Sequence, residues 1–365
     1  MPSATLLEPS ITERTFILQA LSASHLRLDG RSPTQTRPLS IAFSPDPDQV
    51  GYAHVSLGST QAIAQVSAQL GPPREDRPNE GLLVIQAEID PIAGQEYEFG
   101  PGRQSDEEIV FEQRLDKAIK RTECVDREAL CVIAGKKVWT VRISVHILAD
   151  TGSILDCAVL ACLTALRHFR KPETAIIDAD TVHVFPLSER VGTPLAMAHH
   201  PACVSFSLFD LGSAESKAAM DAMKGITVAS AAAAAAAAAA SGKRAKGEDG
   251  EDPEDDEQDG NEGQRDPFAS ADAGPGSSAY PAAPTRIVCL ADPTTIEEQL
   301  ASSSLVFVLN AQREICMLDK AGGQPLPPDV LLAALKQAVT LVTEWTSAVD
   351  EALRRDAEWR VQGVY

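Results

Sequence analysis

The chain has 365 residues, 44% of them hydrophobic, and a formal net charge of −20. That length supports one large or two medium domains, and the apolar content supports a sizeable core. About half of the charge lies in one stretch, Glu248–Asp266, which sets eleven acidic residues against Arg265, so net charge does not exclude nucleic-acid binding by a local basic cluster. No run approaches the ~18 apolar residues of a membrane-spanning helix. No basic stretch followed by an apolar core opens the chain, so no secretory signal is expected. The seven cysteines are odd in number and form no C-x-x-C pair. They predict buried free thiols in a reducing compartment, not disulfides or zinc.

In chain order, Ile11 to Leu21 reads as a short helix, with Thr12 as a candidate cap and Phe16, Ile17 and Ala20 inward. The charged turn Arg27-Leu28-Asp29-Gly30-Arg31 divides between a surface loop held by a local salt bridge and a functional element. Ile41 to Leu57 is strand-like beyond the turn at Asp46-Pro47, and Leu57-Gly58-Ser59-Thr60 is a hairpin turn leading into a second strand over Ala62–Val66. Gly81 to Ile89 is a third strand, apolar at both parities near its middle and so expected to be central. Ser105 and Glu108 have capping-box spacing and start a helix whose apolar side is Ile109, Phe111, Leu115, Ala118 and Ile119. Arg114, Lys117 and Arg121 recur at i, i+3 and i+7 on another face. With Arg103 just before the helix, they are candidate phosphate contacts, against the plainer reading of a solvated face.

Val138 to Phe169 is the centre of the pattern. Trp139, Val141, Ile143, Val145 and Ile147 alternate with Thr140, Arg142, Ser144 and His146, which is the period of a half-buried strand. Leu155 to Phe169 is apolar almost all round, as a buried helix is, and Lys171-Pro172 ends it. Between them Asp150-Thr151-Gly152-Ser153 makes a turn in which Gly152 permits close backbone approach and Ser153 is placed to cap the helix. A helix N-terminus after such a turn is a candidate anion site, though a plain connection has the same sequence and no P-loop is present. Without a GxGxxG fingerprint, a small-molecule enzyme built on the Ser153 turn has no cofactor to assign.

Beyond it, Val182–Phe185 is a short strand, Pro186–Pro201 is irregular, and the adjacent His199 and His200 read as loop residues, not metal ligands. Cys203–Phe209 begins a second half and is expected to pair with Ile287–Leu290. Between those strands lie ten alanines (Ala231–Ala240), the tetrad Lys243-Arg244-Ala245-Lys246, the acidic run and a Gly/Ser/Pro/Ala stretch. This composition reads as a disordered insertion over 212–284. Ser304–Leu309 and Glu314–Leu318 form a further hairpin, and a long amphipathic helix runs from Pro327 past Trp345.

Arg27–Arg31, Leu57–Thr60, Phe99–Ser105 and Ala149–Ser153 occur in the order found in the RNase PH family, which the chain resembles outside the insertion. Gly100-Pro101-Gly102-Arg103-Gln104-Ser105-Asp106, Val132–Trp139 and Asp292-Pro293 look most like its non-catalytic exosome ring branch. The resemblance implies an α/β (α+β) RNase PH fold of two βαβα-type halves, each like domain 2 of ribosomal protein S5, over 1–190 and 191–365. It implies a six-subunit ring of RNase PH-like paralogues, S1/KH cap proteins, associated exoribonucleases and single-stranded RNA on its path, with no membrane and no cofactor. The implied work is rRNA maturation, mRNA turnover and RNA surveillance, in nucleolus, nucleus and cytoplasm. Active members hold phosphate with an arginine directly after Gly-Ser/Thr at the turn; here that position is Ile154. They also carry an aspartate pair in the second half, of which only Asp292 stands nearby. A phosphorolytic exoribonuclease with an altered site is the rival expectation.

Overall fold

The structure is a computed structural model and describes residues 10–23, 26–46, 49–94, 97, 106–178, 181–212 and 287–362. The expectations for Arg103, Ser105 and residues 213–286, including the alanine run and the Lys243 tetrad, lie outside the described residues. The described residues up to Leu211 and from Ile287 onward form one compact unit.

Helix α1 (Ile11–Ala23) buries Ile17, Leu18 and Leu21, whereas Phe16, expected inward, is 54% exposed. The inward face is set by the Ile17–Leu21 spacing, and Phe16 falls off it. Strands β1 (Leu39–Phe43), β2 (Tyr52–Leu57), β3 (Thr60–Gly71), β4 (Leu82–Ile89), β5 (Cys131–Ile133) and β6 (Lys137–Ala149) build the first sheet in the order β1-β2-β3-β6-β4, with β5 on β6. The hairpin at Gly58 is present, with Leu57 opposite Thr60. Strand β4 is not central. It is an edge strand paired parallel to β6, its residues alternating between buried and exposed, with Val84 among the outward ones. The apolar parity came from Val84, which an edge strand covered on one face leaves outside.

Helix α2 (Asp106–Ile119) buries Phe111, Leu115, Ala118 and Ile119 and opens with Asp106, Glu107 and Glu108, the charge sign its N-terminus favours. Strand β6 buries Trp139, Val141, Ile143, Val145 and Ile147 as its alternation predicts. Helix α3 (Ile154–His168) is buried on nearly every side, because it touches β2, β3 and β6 of the first sheet and the strand Ala202–Asp210 of a second. A helix between two sheets has no solvent face, which is why its sequence lacks a polar stripe.

Strands β7 (Arg170–Lys171) and β10 (Thr193–Pro194) pair, as do β8 (Thr174–Ile176) and β9 (Val182–Val184). The second sheet is β11 (Ala202–Asp210), β12 (Ile287–Ala291), β13 (Ser303–Leu309) and β14 (Ile315–Gly322) in the order β12-β11-β13-β14, all antiparallel. The expected pairing across residues 213–286 is present, with Phe209 opposite Val288. Helix α4 (Thr295–Leu300) lies between β12 and β13, and α5 (Pro328–Gln362) packs on both sheets, burying Ala338, Val342, Trp345 and Val349. All seven cysteines are free thiols.

Candidate functional site

Three arginines of the first half meet the start of α4. Leu28, Asp29 and Gly30 of their turn are exposed and Asp29 pairs locally with Arg31 at 2.5 Å, but Arg27 and Arg31 themselves turn inward, 5% and 9% exposed. Arg27 donates through Nε to Glu297 Oε1 at 2.9 Å and through its other nitrogens to the carbonyls of Ala291 and Asp292, both at 2.8 Å. Arg31 donates to Asp292 Oδ2 at 2.9 Å. Arg37 gives that oxygen its backbone N–H at 2.7 Å and Asp292 Oδ1 its Nη2 at 2.6 Å. Asp292 is fully buried, so its charge is compensated by two guanidiniums and an amide instead of water. This clasp joins residues more than 250 apart in sequence, and local spacing carries no sign of it.

Arg37 also fixes the turn before α3. It donates to Thr151 Oγ1 at 2.8 Å and to the Gly152 carbonyl at 2.9 Å, which Thr60 also bonds. Gly152 has φ +103°, and a Cβ there would lie 2.3 Å from the Pro293 carbonyl oxygen, so only glycine allows the turn to lie against the Pro293–Thr294 backbone. Ser153, expected as a side-chain cap, has left-handed φ 53° and makes no cap bond; its hydroxyl donates to the Pro293 carbonyl at 3.2 Å. Its backbone N–H is taken by the chain's own carboxylate, Glu298 Oε1, at 2.9 Å. A candidate anion site is thus filled from inside. Glu298 is ringed by protein yet reached by solvent along a cleft, and that surrounding raises its pKa, with Asp150 and Asp156 adding to the rise.

The cleft has a volume of about 470 Å³ and lies between α2, the start of α3, β11 and β13. Of the arginine–lysine stripe, Arg114 lines it, facing Asp319 of β14 at 3.7 Å. Lys117 is half-buried and Arg121 exposed; neither lines the cleft, and neither pairs with a carboxylate among the described residues. Glu108 accepts from the Ile89 amide at 3.3 Å; the capping box expected of it needs Ser105, which lies outside the described residues. His199 and His200 sit in irregular chain, and among the described residues no group of three or more His, Cys, Asp or Glu is placed to hold a metal ion. No helix among them is long and apolar enough to cross a membrane.

Asp156, in the first turn of α3, is wholly buried and accepts from the Ser205 amide at 2.8 Å and the Ser205 hydroxyl at 2.7 Å. Burial nevertheless pushes its pKa up from 3.8 to about 7. A carboxyl with a raised folded-state pKa stabilises the fold fully below the unfolded value and loses that contribution as pH climbs through the folded one. Stability should therefore fall between about pH 4 and pH 7 on its account. Asp156→Asn should flatten that part of the profile, measured by urea melts across the range; an unchanged profile would assign the dependence elsewhere.

Residues 35–172 match domain 1 of the 3′ exoribonuclease family, RNase PH, and residues 287–340 match its domain 2. The chain is 30% identical over 350 residues to the exosome complex component rrp45 of Schizosaccharomyces pombe, covering 96% of this chain and 92% of that protein. It is 29% identical to exosome complex component RRP45 of Saccharomyces cerevisiae, covering 97% and 94%. In fold it is similar to a chain of the Archaeoglobus fulgidus exosome with RNA bound to the active site, with a TM-score of 0.58, 19% identity and coverage of 93% and 98%. Two RNase PH domains in sequence order, the same α/β fold, and similarity to RRP45 proteins along almost the whole length place this chain in the RNase PH family.

Proposed function

We propose that the chain is a non-catalytic ring subunit of an RNA exosome, supporting 3′-to-5′ RNA processing and degradation without performing the phosphorolytic step. The observation that carries this reading is the turn before α3. Ile154 stands where the resemblance puts the phosphate-holding arginine, and the Ser153 amide is already bonded to Glu298. Isoleucine offers neither charge nor donor, so it does not replace a bidentate guanidinium. Asp292 is enclosed by Arg31 and Arg37 and has no solvent-facing oxygen with which to move a proton or hold a metal. The RRP45 relatives named as exosome components support the ring role.

In this role the chain pairs with RNase PH-like paralogues, carries S1/KH cap proteins and associated exoribonucleases, and works in nucleolus, nucleus and cytoplasm. Mixed with its ring paralogues, it should enter a hexameric assembly readable by native mass; a chain that stays apart would overturn the reading.

Arg103, Arg114, Lys117 and Arg121 are its proposed contacts to single-stranded RNA. Such contacts are to backbone and carry no sequence preference. Arg114 shares its charge with Asp319, so Arg103 and Lys117 are the better test. A ring carrying Arg103→Glu and Lys117→Glu should assemble yet bind RNA more weakly, its log–log salt slope shallower by roughly 0.7 per lost phosphate contact. Unchanged affinity and slope would return these residues to a solvated face.

A further inference from the structure

The cleft beside the occupied turn has the wrong chemistry for phosphates. Its floor is apolar: Phe111 from α2, Leu155 from α3, Phe206 from β11 and Val306 from β13, all buried, with Val110 on its edge 47% exposed. Among the described residues lining it, three are carboxylates. Asp106 and Glu107 stand exposed at the start of α2, and Glu298 is reached by solvent. The one lining cation, Arg114, faces Asp319. Glu298 spends one oxygen on the Ser153 amide, and its other oxygen accepts no hydrogen bond from a described residue.

An apolar trough with an acidic rim and one unengaged carboxylate oxygen is complementary to a cation carried next to bulky apolar groups. It repels a polyanion. We propose that this cleft is a docking site for a short segment of a partner protein outside the ring, in which an arginine or lysine lies beside large apolar side chains. The apolar side chains fill the trough over Phe111, Leu155 and Phe206, and the cation meets Glu298 and the Asp106–Glu107 rim. Such a peptide gains affinity from apolar area and specificity from charge, the division common to groove-binding segments. The proposal stands on the lining of the cleft and is independent of the RNA contacts assigned to Arg103, Lys117 and Arg121; only Arg114 is common to both.

The test is selection of a random phage-displayed library of peptides of about nine residues on the full-length chain, followed by binding of the selected peptides to the chain and to its assembled ring. Selected peptides should share a lysine or arginine flanked by bulky apolar residues. Their affinity should fall about tenfold or more in Val110→Glu, which puts a charge at the trough edge, and in Asp106→Lys/Glu107→Lys. Both variants change exposed positions, and unaltered melting would show that they fold. No selection, selection of acidic peptides, or affinity indifferent to these substitutions would overturn the proposal. So would binding that vanishes in the ring, since a ring neighbour would then cover the cleft. An oligoadenylate RNA weakened by Val110→Glu as strongly as the peptides would assign the cleft to RNA instead.

Discussion

Asp292→Ala should be among the most damaging single substitutions in the chain, lowering stability by roughly 3–5 kcal/mol. The carboxylate has no access to water and is bonded by Arg31, by Arg37 and by the Arg37 amide. Removing it leaves two largely buried guanidiniums, each with a side chain only 10% exposed, with less compensation. The effect reaches further, because Arg37 also holds the Thr151 hydroxyl and the Gly152 carbonyl. The loss should appear as a lower urea midpoint with the slope kept, and ring entry should drop with it. A midpoint within about 1 kcal/mol of the parent, the range of exposed ion pairs, would show that the cluster is wetter than its geometry indicates.

Gly152→Ala should cost about 3 kcal/mol or more, through two additive causes. An L residue at φ +103° carries backbone strain of about 1–3 kcal/mol. The new Cβ also meets the Pro293 carbonyl at 2.3 Å and the Thr294 backbone at 2.6 Å, and main chain yields less readily than a side chain. The turn must then lift off the α4 entry, breaking the Ser153–Glu298 bond as it goes. Gly135→Ala is the control: it has φ +76° but nothing within 4 Å, so it should cost only the strain. Equal losses at the two positions would remove the close approach from the explanation.

Much of the fold was legible because its two periodicities are clean. The alternation of Trp139 to Ile147 and the apolar run of Leu155 to Leu166, interrupted only by Asp156 and Thr164, describe a half-buried strand and a buried helix, and both are present. The β11–β12 pairing was legible too, since the two strands flank a stretch too polar to bury. Strand β4 was misplaced because one outward valine imitates the two-sided apolar pattern of a central strand. The clasp was illegible for a different reason. Arg27, Arg31 and Arg37 look like solvated charges until Asp292 and Glu297 arrive from the other half, and no local spacing announces a contact across that separation. Glu298 at the Ser153 amide was missed in the same way. The turn was recognised as a candidate anion site, but the anion it holds belongs to a helix of the second half.

The proposed role gives the chain the architecture of a 3′ exoribonuclease without the phosphorolytic step. The most direct test is release of nucleoside diphosphates from single-stranded RNA in the presence of inorganic phosphate, by the purified chain alone and by a ring whose other subunits carry inactivating substitutions. The account predicts no phosphate-dependent product in either preparation, and none after Ile154→Arg alone, because Glu298 still occupies the Ser153 amide. Product that requires phosphate and disappears with Ser153→Ala would contradict it.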